Sequence, residues 1–169
     1  DLELLNKIKE SLQNVVIIGI GTICSVMPSE VLLESSVDVV LRSGYPYISN
    51  LIDLVQAFQQ STDLKRVKGI SYVKGKKVIS TPKSFDLNLG EIPPPSYDFL
   101  DVEGYETFTD ITGERYPYVP ILESKGCPYQ CIYCPYPIGF GKKWSYRSPK
   151  EIADEIEYLY FVRGINGFL

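Results

Sequence analysis

With 169 residues, 44% hydrophobic and 22% charged side chains, the chain suits one full or two partial globular domains. Its net charge of -4, from 17 basic and 21 acidic residues, argues against a protein that coats nucleic acid, which would carry a basic excess. No apolar run reaches the roughly 18 residues of a membrane span, and no signal peptide is evident. We therefore expect no transmembrane segment, no nucleic-acid partner and a cytoplasmic location.

The first sixty residues alternate between helical and strand-like patterns. Residues 1–12 repeat leucine and isoleucine every three to four positions, as in an amphipathic helix. The runs VVIIGIG (15–21) and VDVVL (37–41) are typical of strands buried on both faces of a parallel sheet. Further helices are predicted over 28–35 and 48–58. This order predicts a doubly wound α/β layer.

The pattern changes in the second half. GISYV and KVIST flank a glycine-containing turn and predict a hairpin over 67–81, and the following proline-rich passage to about Pro117 indicates a linker. VPILES (119–124) predicts a strand that leads into a cysteine-bearing loop. Ser148, Pro149 and Glu151 form the S-x-x-E start of a helix that ends before Gly164. A final apolar GFL predicts the next strand, and hence a βαβ unit.

Three cysteines lie close together in GCPYQCIYC (126–134), at a C-x3-C-x2-C spacing, in a chain without histidine. The clustering favours metal ligation over disulfides. A zinc site would need a fourth ligand such as a carboxylate. A [4Fe-4S] cluster normally takes four thiolates, so that three leave one iron open to a substrate. Cys24 is far away in sequence and is interpreted as a small buried apolar residue.

The loop also carries local positive charge. Four cationic residues and one acid give a local sum of +3 between positions 123 and 147, from Glu123, Lys125, Lys142, Lys143 and Arg147. Positive charge near a cluster favours its reduction, but exposed lysines are usually a solvated face, and we assign them no role.

With its flanking strand and helix, ESKGCPYQCIYC resembles the radical S-adenosylmethionine (radical SAM) superfamily. The resemblance implies that Cys127, Cys131 and Cys134 bind a [4Fe-4S] cluster and that Tyr133 lies near the adenine of SAM. SAM would chelate the remaining iron and be cleaved reductively to a 5′-deoxyadenosyl radical. The family's glycine-glycine-glutamate motif, which holds the SAM amino group, would follow Leu169.

The first hundred residues resemble the C-terminal part of the cobalamin-binding-type domain that precedes many radical SAM cores. The corrinoid-anchoring D-x-H-x-x-G motif is not in the sequence, Gly19-Ile20-Gly21-Thr22 lacks a histidine, and the turn at 42–46 lacks the family's acids. The resemblance implies cobalamin as a further candidate cofactor, although these three departures weigh against it. A dinucleotide site at Gly19-x-Gly21 is disfavoured because Cys24 replaces the third glycine.

The predicted fold is α/β: a partial Rossmann-like (flavodoxin-like) cobalamin-binding-type domain at 1–62, a hairpin and linker at 63–117, and the first βα unit of a radical SAM (β/α) barrel at 118–169. The chain lacks an initiator methionine and stops in an apolar run, so we expect an inactive fragment of a radical SAM enzyme that performs methyl transfer, cyclisation or rearrangement. Its expected partners are a small-molecule or lipid-like organic substrate and an electron donor such as ferredoxin or flavodoxin. The alternative is a non-catalytic zinc- or cluster-binding module.

Overall fold

The computed structural model describes residues 2–12, 14–42, 47–84, 88–101, 106–108, 113 and 115–168. Contacts group the chain into two compact units, one of Asp1–Leu87 with Gly126–Trp144 and one of Asn88–Lys125 with Ser145–Leu169. The helices and strands in chain order are α1 (Leu2–Ser11), β1 (Ile18–Gly19), α2 (Thr22–Val26), α3 (Pro28–Glu34), β2 (Val39–Leu41), α4 (Ile48–Gln59), β3 (Ile70–Lys74), β4 (Lys77–Ser80), β5 (Glu106–Phe108), β6 (Arg115–Val119), β7 (Ser124–Lys125), α5 (Tyr136–Phe140), β8 (Ser145–Tyr146), α6 (Pro149–Arg163) and β9 (Gly167–Phe168).

The first unit is built on a four-stranded sheet in the order β1-β2-β3-β4. β1 and β2 are parallel, whereas β3 pairs antiparallel with both β2 and β4. The β3–β4 hairpin turns at Gly75, whose φ of +64° suits a glycine. The core of this unit is contributed by β2, α4, β3 and the residues around them, chiefly Val39, Leu41, Leu54, Ala57, Val67, Ile70 and Tyr72.

Most elements predicted for this unit are confirmed, namely α1, α3, β2, α4 and the hairpin. The predicted strand over 15–21 is wrong in extent, because β1 has only two half-buried residues and Val16 and Ile20 are exposed. The hairpin is not separate from the α/β layer. It extends the same sheet, because pairing β3 with β2 buries the apolar side chains of Ile70 and Tyr72 in the core of this unit.

The second unit contains the predicted βαβ unit. β6 and β9 are parallel neighbours, with Tyr118 opposite Gly167, and α6 connects them along the chain. Leu159 of α6 is fully buried and packs with Val119 and Ile165. The predicted strand over 119–124 is wrong in position: β6 ends at Val119, and the next strand, β7, begins only at Ser124.

The proline-rich stretch is not a loose linker. Its Tyr97 is buried and donates a hydrogen bond to Glu155 Oε1 on α6 at 2.7 Å. Asp98 accepts hydrogen bonds from Arg163 at 2.8 Å and from Tyr158 at 3.2 Å. Burial raises the pKa of Tyr97 above its ordinary range, and the hydrogen bond to Glu155 raises it further. The proline-rich stretch is therefore packed against α6 and hydrogen-bonded to it.

Helix α6 begins and ends as the sequence predicts. Ser148 Oγ accepts from Glu151 N–H at 3.2 Å, and the Glu151 carboxylate accepts from Ser148 N–H at 2.8 Å, so both halves of the capping box are present. At the other end Gly164 has a φ of +68° and donates its N–H to Leu159 O. Local chemistry sets both ends of this helix.

The two compact units divide the chain at places other than residues 62 and 117. The three predicted domain ranges describe family regions rather than contact units, and they stay a prediction. Across the described ranges, no helix is both long and apolar enough to cross a membrane.

Replacing Ser148 by alanine is expected to lower the free energy of unfolding by about 1 kcal/mol, because one end of the capping box is lost. Urea unfolding followed by circular dichroism measures this. Ser96→Ala is the matched control, since Ser96 precedes a short 3-10 turn (Tyr97–Phe99) without making a side-chain cap. An equal loss in both variants would contradict the assigned role of the cap.

The stabilisation that the Ser148–Glu151 capping box provides should depend on pH. Hydrogen bonds from the Ser148 side chain and backbone lower the pKa of Glu151. A carboxyl group whose pKa is lower in the folded state stabilises the fold above its unfolded pKa, and that contribution disappears as pH falls through the folded value. The stability difference between wild type and Ser148→Ala should therefore narrow in acid.

Replacing each of two buried tyrosines by phenylalanine is expected to change the free energy of unfolding by different amounts. Tyr97→Phe should cost about 1–3 kcal/mol, because Glu155 Oε1 loses its buried donor. Tyr72 is equally buried, but its hydroxyl has no hydrogen-bond partner in the described chain, so that Tyr72→Phe should be close to neutral or stabilising. Urea midpoints measure both effects, and the reverse order would refute the assignment.

Candidate functional site

The three predicted ligands lie on one segment, residues 126–144, between β7 and β8. These strands pair antiparallel, with Ser124 opposite Tyr146 and Lys125 opposite Ser145, so they hold the two ends of the segment together. Inside the segment, Cys127 N–H donates to Gly141 O at 3.1 Å. The first cysteine is thus tied by its backbone to the far end of its own loop.

The second and third cysteines are positioned by a separate turn. Cys134 N–H donates to Cys131 O at 3.1 Å, which closes a turn around Ile132 and Tyr133. Tyr133 is 85% exposed and Ile132 is fully exposed. All three cysteines are free thiols; Cys131 is exposed, whereas Cys127 and Cys134 are partly buried.

The structure brings these thiols onto one loop but does not bring them into a cage. Among the described residues, no group of three or more cysteine, aspartate or glutamate side chains is arranged to hold a metal ion. The donor chemistry nevertheless fits an iron-sulfur cluster, since three thiols share one loop and the chain offers no imidazole. Cluster ligation by these residues stays a prediction.

A short helix follows the third cysteine and rests on the first unit's own α2. In α5 the rings of Tyr136 and Phe140 stack with their centroids 4.0 Å apart. Gly139 is buried, and a methyl group there would lie 3.3 Å from Ser25 Oγ of α2. Ile138 O accepts a hydrogen bond from Lys83 Nζ at 2.8 Å. These contacts anchor the second half of the cysteine segment.

Both short helices were missed by the sequence reasoning. At five residues each, α2 and α5 are too short to show a helical repeat of apolar residues. The sequence does contain residues typical of helix ends, because a proline directly precedes α5 and a glycine directly follows it. Gly139 itself has no signal in a single sequence, because its role depends on the nearby Ser25.

The local charge is smaller than the sequence sum of +3. Arg147 is buried and its Nη1 ion-pairs with Glu155 Oε2, so that its charge is neutralised inside the second unit. Lys142 and Lys143 are exposed, as expected for a solvated face. Lys125 is 3% exposed, so it is no part of that face.

The glycine pair at 19 and 21 follows the expected packing role. A methyl group at Gly19 would lie 3.0 Å from Cys24 Sγ and 3.2 Å from Val37. Gly21 has a φ of +104° where the chain turns into α2. Cys24 is partly rather than fully buried, and this burial raises the pKa of its thiol. The proposed turn at 42–46 lies outside the described residues, apart from Arg42.

The second unit contains a cleft of about 290 Å³ beside the proline-rich stretch. Of the ionisable groups that line it, Glu155 pairs with Arg147 and Tyr97, and Asp154 pairs with Lys150, which lies outside the lining. The Glu151 carboxylate, also in the lining, accepts the Ser148 N–H of the capping box.

No protein-family model matches the chain. It is 32% identical over 114 residues, or 67% of its length, to an uncharacterized methyltransferase of Pyrococcus horikoshii, of which it covers 24%. It is 29% identical over 170 residues to the anaerobic magnesium-protoporphyrin IX monomethyl ester cyclase of Synechocystis, covering 95% of the chain and 31% of the relative. The chain thus spans about a quarter to a third of the length of these relatives.

Solved structures with the same fold were found as well. The radical SAM methyltransferase TsrM from Kitasatospora setae, solved with cobalamin and a [4Fe-4S] cluster, matches 96% of the chain and 31% of its own length at a TM-score of 0.66 and 20% identity. The cobalamin-dependent SAM radical enzyme OxsB, solved with aqua-cobalamin, matches 97% of the chain and 22% of its own length at a TM-score of 0.71 and 21% identity. The chain is therefore a relative, in sequence, of proteins named as methyltransferases and cyclases, and its fold matches part of the cobalamin-binding radical SAM enzymes TsrM and OxsB, as the predicted fold class implies.

Proposed function

We propose that this chain carries the cluster loop of a radical SAM enzyme, in which Cys127, Cys131 and Cys134 hold a [4Fe-4S] cluster. The observation that carries the proposal is the loop itself: three free thiols on one segment closed by β7 and β8, in a chain without histidine. When bound, the cluster offers its remaining iron to SAM and supplies the electron for reductive cleavage.

The three cysteine thiolates of this chain would bind the cluster. Each thiol must lose its proton to become a ligand, so cluster uptake releases protons and is favoured at higher pH. Cys131 and Cys134 share one turn, while Cys127 is fixed from the other end of the loop through Gly141. The three sulfur atoms would converge as the cluster binds. Tyr133, exposed in the turn between two ligands, would lie beside the adenine of SAM.

For the whole protein we propose a radical methyl transfer, cyclisation or rearrangement on a small-molecule or lipid-like substrate. Relatives named as methyltransferases and cyclases support this range of reactions. We propose that residues 1–62, 63–117 and 118–169 serve as the cobalamin-domain part, the connecting part and the start of the radical SAM core. An electron donor such as ferredoxin or flavodoxin and a cytoplasmic location complete the proposal.

Cobalamin belongs to the proposal because enzymes with this fold bind it. This chain contains no histidine, so no imidazole from these 169 residues would coordinate cobalt. What the chain contributes is the glycine-bearing loop at the carboxyl end of β1, at the edge of the sheet where α/β folds bind ligands.

Anaerobic reconstitution with iron and sulfide tests the cluster. The wild-type chain should bind about four irons and four sulfides and absorb broadly at the violet end of the visible spectrum. The triple variant Cys127→Ala, Cys131→Ala, Cys134→Ala should lose both signals. Cys24→Ala is the matched control and should retain them, since Cys24 lies against Gly19 in the α/β layer.

Two results would contradict the cluster assignment. One is full cluster loading in the triple variant. The other is tight stoichiometric zinc with no cluster uptake by the wild type, which would indicate a structural metal module instead.

In the full-length protein, Tyr133→Ala should separate SAM binding from cluster binding. Iron content should stay at the wild-type level, because the tyrosine supplies no ligand. Loss of aromatic stacking on a base costs about 1–3 kcal/mol, which corresponds to a roughly 5-fold to 150-fold loss of SAM affinity. The SAM-induced change in the electron paramagnetic resonance spectrum of the reduced cluster measures it. Tyr129→Ala, also exposed on this loop, is the control, and equal losses in both variants would refute the role of Tyr133.

A further inference from the structure

We propose that Gly126 is a positioning residue for the cluster loop: it permits a backbone contact with Lys143 that sets the place of Cys127. The inference rests on the proposed function, because a positioned first thiol matters most for a loop that binds a cluster. Whether the contact between Gly126 and Lys143 positions Cys127 can also be tested in the cluster-free chain.

The contact at Gly126 excludes every side chain. The residue has a φ of +83°, and a methyl group there would lie 2.0 Å from Lys143 O and 2.8 Å from Lys143 C. It would also lie 3.3 Å from Trp144 N. All three are backbone atoms, so no rotation of a side chain relieves the clash. Residues 126 and 143 would have to separate by at least about 1.4 Å to reach an ordinary van der Waals contact.

A separation of that size reaches the first ligand. Cys127 is the next residue, and its N–H donates to Gly141 O at 3.1 Å, two residues before Lys143. A displacement of about 1.4 Å exceeds the roughly 0.5 Å within which functional groups must be held, and it is enough to break a hydrogen bond of this length. Gly141 itself has a φ of +86° and is buried, so this side of the loop has little freedom to follow.

The other two thiols do not depend on this contact. Cys131 and Cys134 are related by their own turn, and the segment after them is anchored through Gly139 and Ser25. A substitution at Gly126 should therefore disturb one thiol of three. This selectivity distinguishes positioning from general loss of the fold.

The test compares Gly126→Ala with Gly75→Ala. Gly75 also has a positive φ, +64°, but nothing lies within 4 Å of a methyl group placed there. Both variants carry backbone strain, and only Gly126→Ala carries the clash. In the cluster-free chain, mass spectrometry follows the alkylation of each cysteine under native conditions, and circular dichroism follows the fold. Gly126→Ala should raise the alkylation rate of Cys127 several-fold relative to Cys131, and Gly75→Ala should leave the ratio unchanged.

Reconstitution provides the second readout. Gly126→Ala should bind less than half of the wild-type iron and sulfide, whereas Gly75→Ala should bind the full amount. Adding Lys143→Gly to Gly126→Ala should recover part of the loading and of the Cys127 protection, because glycine frees the carbonyl at 143 to rotate away. If Gly126→Ala does not fold, this double variant carries the test against Gly75→Ala.

The outcomes separate the inference from the proposed function. A wild-type chain that takes up no cluster, while Gly126→Ala still exposes Cys127 selectively, contradicts the function and supports the positioning. A wild-type chain that takes up its cluster, with Gly126→Ala matching it in loading and in alkylation, overturns the positioning and leaves the function standing. Equal exposure of all three cysteines in Gly126→Ala also overturns it.

Discussion

The pairing of β7 with β8 is the constraint on which the cysteine segment depends. Two residues from each side bring the ends of residues 126–144 together, so the segment is a closed loop rather than a long connection. Closing a loop costs chain entropy once, and the cost grows slowly with length. After closure, short-range contacts inside the loop can place the ligands. The Cys127–Gly141 hydrogen bond and the Cys131–Cys134 turn are such contacts.

The strand pair is in turn fixed at its base by a buried network. Arg147 follows β8 directly, donates its N–H to Glu123 O at 2.9 Å, and pairs with Glu155 on α6. Tyr97 from the proline-rich stretch supplies the other hydrogen bond to that carboxylate. Breaking a buried pair leaves an uncompensated charge and is strongly destabilising. The same network removes Arg147 from the positive charges around the loop, so any electrostatic tuning of a cluster would have to come from other groups.

The features that the sequence predicts well are those that local chemistry decides. The capping box at Ser148 and Glu151, the glycine end of α6 at Gly164, and the three-cysteine spacing each need only a few neighbouring residues to be recognised. The features that it does not predict depend on partners distant in the chain. The hairpin joins the α/β sheet because β2 offers an open edge, and Tyr97 is buried because Glu155 lies beside it, 58 residues later. Gly126 belongs to both classes: its turn propensity is readable, but its steric necessity exists only because Lys143 O returns to it.

The two halves of the cysteine segment are supported in physically different ways, and this bears on how such a loop could bind a cofactor. The half with Cys127 is held by backbone packing and a backbone hydrogen bond, which tolerate little displacement. The half with Cys131 and Cys134 is a surface turn with an exposed thiol and two fully or largely exposed side chains, and α5 behind it rests on α2. Since a site is more precise when at least part of it is rigid, the first thiol is suited to serve as the fixed point toward which the other two close. Gly139 of α5 packs on Ser25 of α2, whose hydroxyl donates to Gly21 O at 2.9 Å, so the cysteine segment and the glycine-bearing loop after β1 contact the same short helix within one compact unit.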